Sequence, residues 1–143
     1  MDHNEAWLKP YAAFCFLRDL FVSADHREWG LMHDNAKQHT DRLTDPDKPF
    51  HRDICYTYWL QWHLHKQLLE AANFARSKRV VLKGDLPIGV AKSSADTWYS
   101  PQLFCMDVSV GSPPDAFDAK GQNWGFPGVS PFLKNDVYMT KGH

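Results

Sequence analysis

Between positions 83 and 127 the chain concentrates side chains suited to holding a polyhydroxylated ligand. Asp85 lies in Lys83-Gly84-Asp85-Leu86-Pro87-Ile88-Gly89-Val90, and Asp96 and Trp98 in Ser94-Ala95-Asp96-Thr97-Trp98. Asp115 and Phe117 follow in Gly111-Ser112-Pro113-Pro114-Asp115-Ala116-Phe117, then Trp124 in Gly121-Gln122-Asn123-Trp124-Gly125-Phe126-Pro127. An aspartate carboxylate accepts hydrogen bonds from sugar hydroxyls, and an indole face packs against the apolar C–H face of a pyranose ring. These six residues are the candidate substrate-binding set. Each has a competing structural use. Asp85, turned by Gly84 and Pro87, either aims its carboxylate into a cleft or caps its own turn. Asp96 can cap the turn that follows it while Trp98 fills core. The 111–127 segment is harder to assign to structure alone, because a long loop stiffened by Pro113 and Pro114 is more often functional.

Other chemistries find little footing. His63 and His65 are two apart on an expected helix, so they point to different faces and cannot share one ion. No nucleophile elbow, phosphate-binding glycine loop or paired-cysteine motif occurs, and neither a metal nor a cofactor is expected. The net charge of −1 gives no electrostatic support for nucleic acid. The cluster Arg76-Ser77-Lys78-Arg79 suits the C-terminus of a helix, where cations complement the helix dipole.

The elements that must position these residues follow from periodicity. Trp7, Tyr11, Phe14, Leu17 and Phe21 predict a helix from residue 4 or 5 to about 22, with Pro10 near its first turns. Residues 23–49 are polar and proline-punctuated, a surface excursion with a short helix around 34–43. Residues 52–78 form a long helix whose apolar residues cover most of its girth, so it should be sandwiched between neighbours. Val80-Val81-Leu82 reads as a short buried strand ending at Gly84-Asp85, and helix-then-strand is the grammar of an α/β unit. In barrels of that kind the loops after the strands hold the active site. Residues 103–108 are a second candidate strand, and from Val110 onward the Gly/Pro density reads as loop.

The 143 residues have the length of one ordinary domain, with 43% hydrophobic and 23% charged residues. Cys15, Cys55 and Cys105 are odd in number and lie among apolar neighbours, which fits free core thiols in a reducing compartment. No cationic leader opens the chain, and the longest apolar run is too short to cross a bilayer, so a soluble cytoplasmic protein with no membrane partner is expected.

The four segments quoted first, in this order and spacing, resemble the 4-α-glucanotransferases, the amylomaltase and disproportionating-enzyme family. The resemblance extends upstream to Trp7-Leu8-Lys9-Pro10-Tyr11-Ala12-Ala13-Phe14 and Ser23-Ala24-Asp25-His26-Arg27-Glu28-Trp29-Gly30, which look like the plant cytosolic form. It implies an α/β fold, a partial (β/α) TIM-type barrel over residues 1–127 made mostly of helices and long loops with few short strands. It also implies a retaining transfer of α-1,4-glucosyl units among maltose, malto-oligosaccharides and glucans. That reaction needs a nucleophile and a general acid about 5–5.5 Å apart. In the family the nucleophile lies in an Arg-x-Asp-His motif downstream of the Trp124 loop, and Asp25-His26 lacks the arginine. No catalytic residue is therefore assigned, and the isolated chain is expected to be inactive. A non-catalytic glucan-binding or regulatory fragment is the alternative. Ala116 stands where relatives commonly carry tyrosine, and Ala91 where the plant form carries aspartate. Residues 128–143 leave the family pattern and are expected to be a disordered tail, as in a truncated or alternatively spliced product.

Overall fold

The structure, a computed structural model, describes residues 4–130. The chain divides into two compact units, Met1–Ile88 and Gly89–His143, where the sequence reading runs one domain from 1 to 127.

The first unit is helical. Helix α1 spans Glu5–Phe21, with Glu5 salt-bridged to Lys9 one turn on. It buries Ala12, Ala13, Phe14 and Leu17, the three- and four-residue spacing that sets one apolar stripe. Its last turn closes through Val22, whose φ of 53° lies in the left-handed region and whose N–H bonds to the Arg18 carbonyl. Two short 3-10 turns, His26–Glu28 and Gly30–Met32, lead to α2, Ala36–Leu43. Asp25 caps the first of them by accepting from the Arg27 N–H. The Arg27 guanidinium beside it holds the Asp25 carboxyl down at about 2. Helix α3, His51–Ser77, runs antiparallel to α1, with Phe16 against Phe50 and Asp19 near Asp53 and Tyr56.

Two expectations fail here. The 23–49 segment is more than a surface excursion, because Trp29 is 1% exposed between Phe14 and Phe21. Its indole N–H donates to the Ser23 carbonyl at 2.9 Å. His26 and Thr40 are buried with it. Helix α3, expected to be sandwiched, buries only Ile54 among its residues. Trp59, Trp62, Leu64, Leu68, Leu69 and Phe74 stay exposed, since α1 alone packs along it substantially among the described elements.

The Val80-Val81-Leu82 strand does not form either. The segment has no regular secondary structure and is unpaired, and Val81 is 89% exposed. A strand exists only through its ladder partners, and none of the described residues supplies one.

The second unit holds α4, Ala95–Tyr99, a 3-10 turn at Pro101–Leu103, and an antiparallel hairpin of β1, Phe104–Ser112, with β2, Gln122–Val129. Phe104 pairs with Val129 and Ser112 with Gln122, with register shifts on either side of Ser109. The strand expected over 103–108 is thus longer than the sequence suggests. The loop reading beyond Val110 is overturned for 110–112 and 122–129. In a two-stranded sheet both strands are edges, so Pro127 costs no obligatory ladder bond. Pairing continues through Gly128 and Val129, two residues expected to belong to a disordered tail. The rest of that tail, from residue 131, lies outside the described residues.

Cys15 is buried, while Cys55 and Cys105 are half-buried, and all three are free thiols. Among the described residues no helix is long and apolar enough to cross a membrane.

Candidate functional site

Helix α4 is set by a reciprocal capping box. Ser94 Oγ accepts from the Thr97 N–H at 3.3 Å, and the Ser94 N–H donates to Thr97 Oγ1 at 3.2 Å. Thr97 is fully buried, and its hydroxyl also reaches the Lys92 carbonyl at 3.0 Å. The cap is therefore Ser94, and Asp96 is left exposed in the first turn with no partner for its carboxylate among the described residues. Trp98 corrects the sequence reading. It is 2% exposed, so neither face of its indole is open to a sugar, and it serves the core of this unit.

The nine residues joining β1 to β2 form an organised turn. Asp115 Oδ1 accepts from the N–H groups of both Phe117 and Asp118 at 2.8 Å, and the Asp115 N–H donates to the Asp118 carbonyl at 3.0 Å. Asp118 repeats the device on the Lys120 N–H. Side chains that mimic a backbone turn in this way fix a loop without burying it. The Asp118 and Phe117 amides hold the Asp115 carboxyl below its ordinary value. A depressed carboxylate pKa stabilises the turn above the unfolded value, about 3.9, and that contribution is lost as pH falls toward the lower folded value. In an NMR titration the Phe117 and Asp118 amides should therefore move together at a midpoint below that of a free aspartate. A midpoint at or above about 4 would remove Asp115 from this role.

Gly121, at φ +70°, completes the turn, because a Cβ there would meet the Ser112 carbonyl at 2.6 Å. With the turn fixed, Phe117 projects fully into solvent. Trp124 lies on β2, 42% exposed, with its ring 5.9 Å from Phe126. Its indole N–H donates to Gln122 Oε1 at 2.8 Å. Gln122 and Phe126 are residues that sequence reasoning passed over. The period-two spacing of 122, 124 and 126 was the available signal once the segment is read as a strand.

Asp115, Phe117 and Trp124 thus come together on one hairpin as a turn-fixing carboxylate and two solvent-facing rings. Asp85 belongs to the first unit, in the irregular segment after α3, exposed and without a side-chain partner among the described residues. Within those residues no group of three potential metal ligands occurs.

A family model described as 4-alpha-glucanotransferase matches residues 1–138. The chain belongs to the 4-alpha-glucanotransferase family. It is 54% identical over 127 residues to the 4-alpha-glucanotransferase DPE2 of Oryza sativa subsp. japonica, covering 89% of this chain and 13% of the rice protein. It is 35% identical over 145 residues to the 4-alpha-glucanotransferase of Chlamydia pneumoniae, covering 99% of this chain and 26% of that one. Among solved structures, an amylomaltase from Streptococcus agalactiae in complex with acarbose superposes with a TM-score of 0.71 at 26% identity. The match covers 89% of this chain and 27% of that one. The chain thus spans about a quarter or less of the length of these relatives. Their common name, 4-alpha-glucanotransferase, denotes a transferase.

Proposed function

We propose that this chain is the glucan-contacting part of a 4-α-glucanotransferase barrel domain, with maltose, malto-oligosaccharides or glucan as its ligands. The observation that carries the reading is the β1–β2 hairpin: a family loop held rigid by Asp115 that sets Phe117 and Trp124 toward solvent. An indole locked by Gln122 is a preorganised stacking platform, since little rotamer freedom remains to be lost when a pyranose docks. Phe117 adds a second apolar surface on the same hairpin, Asp96 offers an exposed carboxylate in the same unit, and Asp85, in the first unit, is proposed separately on its family motif. The chemical step requires an acid–nucleophile pair, and no two carboxylates of this sequence match that motif. The chain therefore contributes substrate contacts rather than bond cleavage. Cytosolic placement belongs to the same proposal and rests on the free thiols.

The alternative, a non-catalytic glucan-binding module, uses the same surface and differs only in what it is attached to. Electrophoresis through glycogen-containing gels tests the shared core. The chain should be retarded, and Trp124→Ala should restore nearly full mobility, as loss of a stacking aromatic costs on the order of 1 kcal/mol or more. Maltose plus glycogen should release no glucose above background. Absence of retardation rejects glucan contact, and robust turnover rejects the assignment of chemistry elsewhere.

A further inference from the structure

We infer that His26 and His33 form a proton-sharing clasp over Trp29, which holds the core of the first unit shut at neutral pH and releases it on acidification. The clasp is independent of glucan binding, so the two readings fail separately.

The Nδ1 atoms of His26 and His33, seven residues apart in the chain, lie 3.0 Å from each other. The two ring planes differ by 12°, and the ring centroids stand 5.1 Å apart. That separation is close to the 3.0 Å contact plus one ring radius at each end, so the rings lie end to end in nearly one plane. Each Nδ1 therefore points at the other. Two facing lone pairs repel, and so do two facing N–H groups, whereas one proton between the nitrogens makes an N–H···N hydrogen bond. A metal ion does not fit on this line, because two Zn–N bonds set end to end need about 4 Å. The contact selects a proton, and one only.

The clasp sits where its loss is felt. His26 begins the first 3-10 turn and His33 caps the second, with Gly30 at φ 57° between them. Trp29 is buried within this loop, and His26, itself 3% exposed, meets the indole edge-on at 6.2 Å. His33 is half-buried, so protons reach the pair from its side. A neutral pair keeps the bond when one ring is protonated at Nδ1 and the other at Nε2. A singly charged pair keeps it too, since the charged ring donates to the neutral one. A second charge sets N–H against N–H and cation against cation. Below about pH 6.5 two unfolded imidazoles take up two protons, while the folded pair holds at most one. Stability is therefore present above that pH and is lost as pH falls below it, by up to about tenfold in the unfolding constant per pH unit, the linkage of a single proton.

The surrounding charges do not supply this response. Asp25, beside His26, is held at about 2 by Arg27 and stays ionised. Glu28 accepts the Ser23 hydroxyl, and Arg18 and Asp19 at the end of α1 pair with each other. Asp34 next to His33, and Lys37 and Asp41 on α2, complete the set, and of these residue types only histidine changes charge between about pH 5 and 8. His39 of α2 contacts the Leu31 carbonyl at 3.1 Å, a bond that an Nε2–H donates in either charge state.

Two measurements on the 143-residue chain test the clasp. Nitrogen–proton correlation of the imidazoles at neutral pH should show one ring of the pair protonated at Nδ1, and a coupling between the two Nδ1 nuclei across the hydrogen bond. Urea titrations followed by helical circular dichroism should show the unfolding constant rising at least tenfold more on acidification from neutral pH to pH 5 in the unsubstituted chain than in His33→Asn. The asparagine sets an uncharged carbonyl near the Nδ1 position, where it accepts from His26 in either charge state. Equal acid sensitivity of the two proteins would overturn the inference, as would protonation of both rings at Nε2 alone. Should His33→Asn fail to fold, the imidazole spectrum of the unsubstituted chain decides the matter by itself.

Discussion

Trp29→Ala is expected to cost the first unit about 3–5 kcal/mol, the range for emptying a fully buried aromatic site. Trp29 fills the space between Phe14, 5.1 Å away, and Phe21, stacked at 6.0 Å, and its N–H satisfies the Ser23 carbonyl. The Ser23 carbonyl would also lose its donor. Set against a total stability of about 5–15 kcal/mol for an ordinary domain, such a loss brings this small core near its unfolding point. Urea titration followed by α-helical circular dichroism measures it. A loss below about 1 kcal/mol would show that the 23–33 segment does not hold α1 in place.

The second large effect concerns Gly111. A Cβ at this position would lie 1.9 Å from the Gln122 carbonyl oxygen and 3.0 Å from its carbon, both backbone atoms of the paired strand. Relief requires moving β2 away from β1, which breaks the Ser112–Gln122 pairing that anchors the turn. Gly111→Ala should therefore open the turn end of the hairpin, with a cost at or above the 1–3 kcal/mol usual for overpacking. Gly128→Ala is the matched control. Its Cβ meets only side-chain atoms, a Val108 methyl at 3.3 Å that must give by a few tenths of an ångström, so its cost should be clearly smaller. Amide protection across β1 and β2, with Trp124 fluorescence as a second probe, distinguishes the two. Equal behaviour of the two variants would mean that the strands do not approach as closely as the geometry indicates.

Helices α1 and α3 of the first unit were legible because their apolar residues recur every three or four positions, while the short α2, with only Ala36 and Leu43 apolar, carries no such pattern. Helix α3, expected over 52–78, spans His51–Ser77. Its exposure was not legible, since periodicity records which face is apolar and says nothing about what covers it. The same limit explains residues 80–82, whose β-branched residues are fit for a strand that local sequence cannot pair. Trp29 was hidden by the polar company it keeps between Ser23 and Asn35. In the second unit Gly and Pro read as loop, yet Gly111 and Pro127 sit in strands because a narrow ribbon tolerates both. Of the candidate site, the bends at Pro113, Pro114 and Gly121 follow from residue type, whereas the exposure of Phe117 and Trp124 runs against it. The burial of Trp98 was one of the two uses left open by its residues, and the Ser94–Thr97 cap, which turns the third and fourth residues of α4 inward, accounts for it.

The hairpin also bears on how quickly the chain orders itself. Its paired residues are separated by only ten to twenty-five positions, from Ser112–Gln122 out to Phe104–Val129. Closing so short a span carries a small entropic penalty, and ribbons of this size zip on a microsecond scale. The Asp115 turn can thus be in place well before slower, long-range contacts accumulate. On the proposed function, a saccharide would meet a surface that is already shaped.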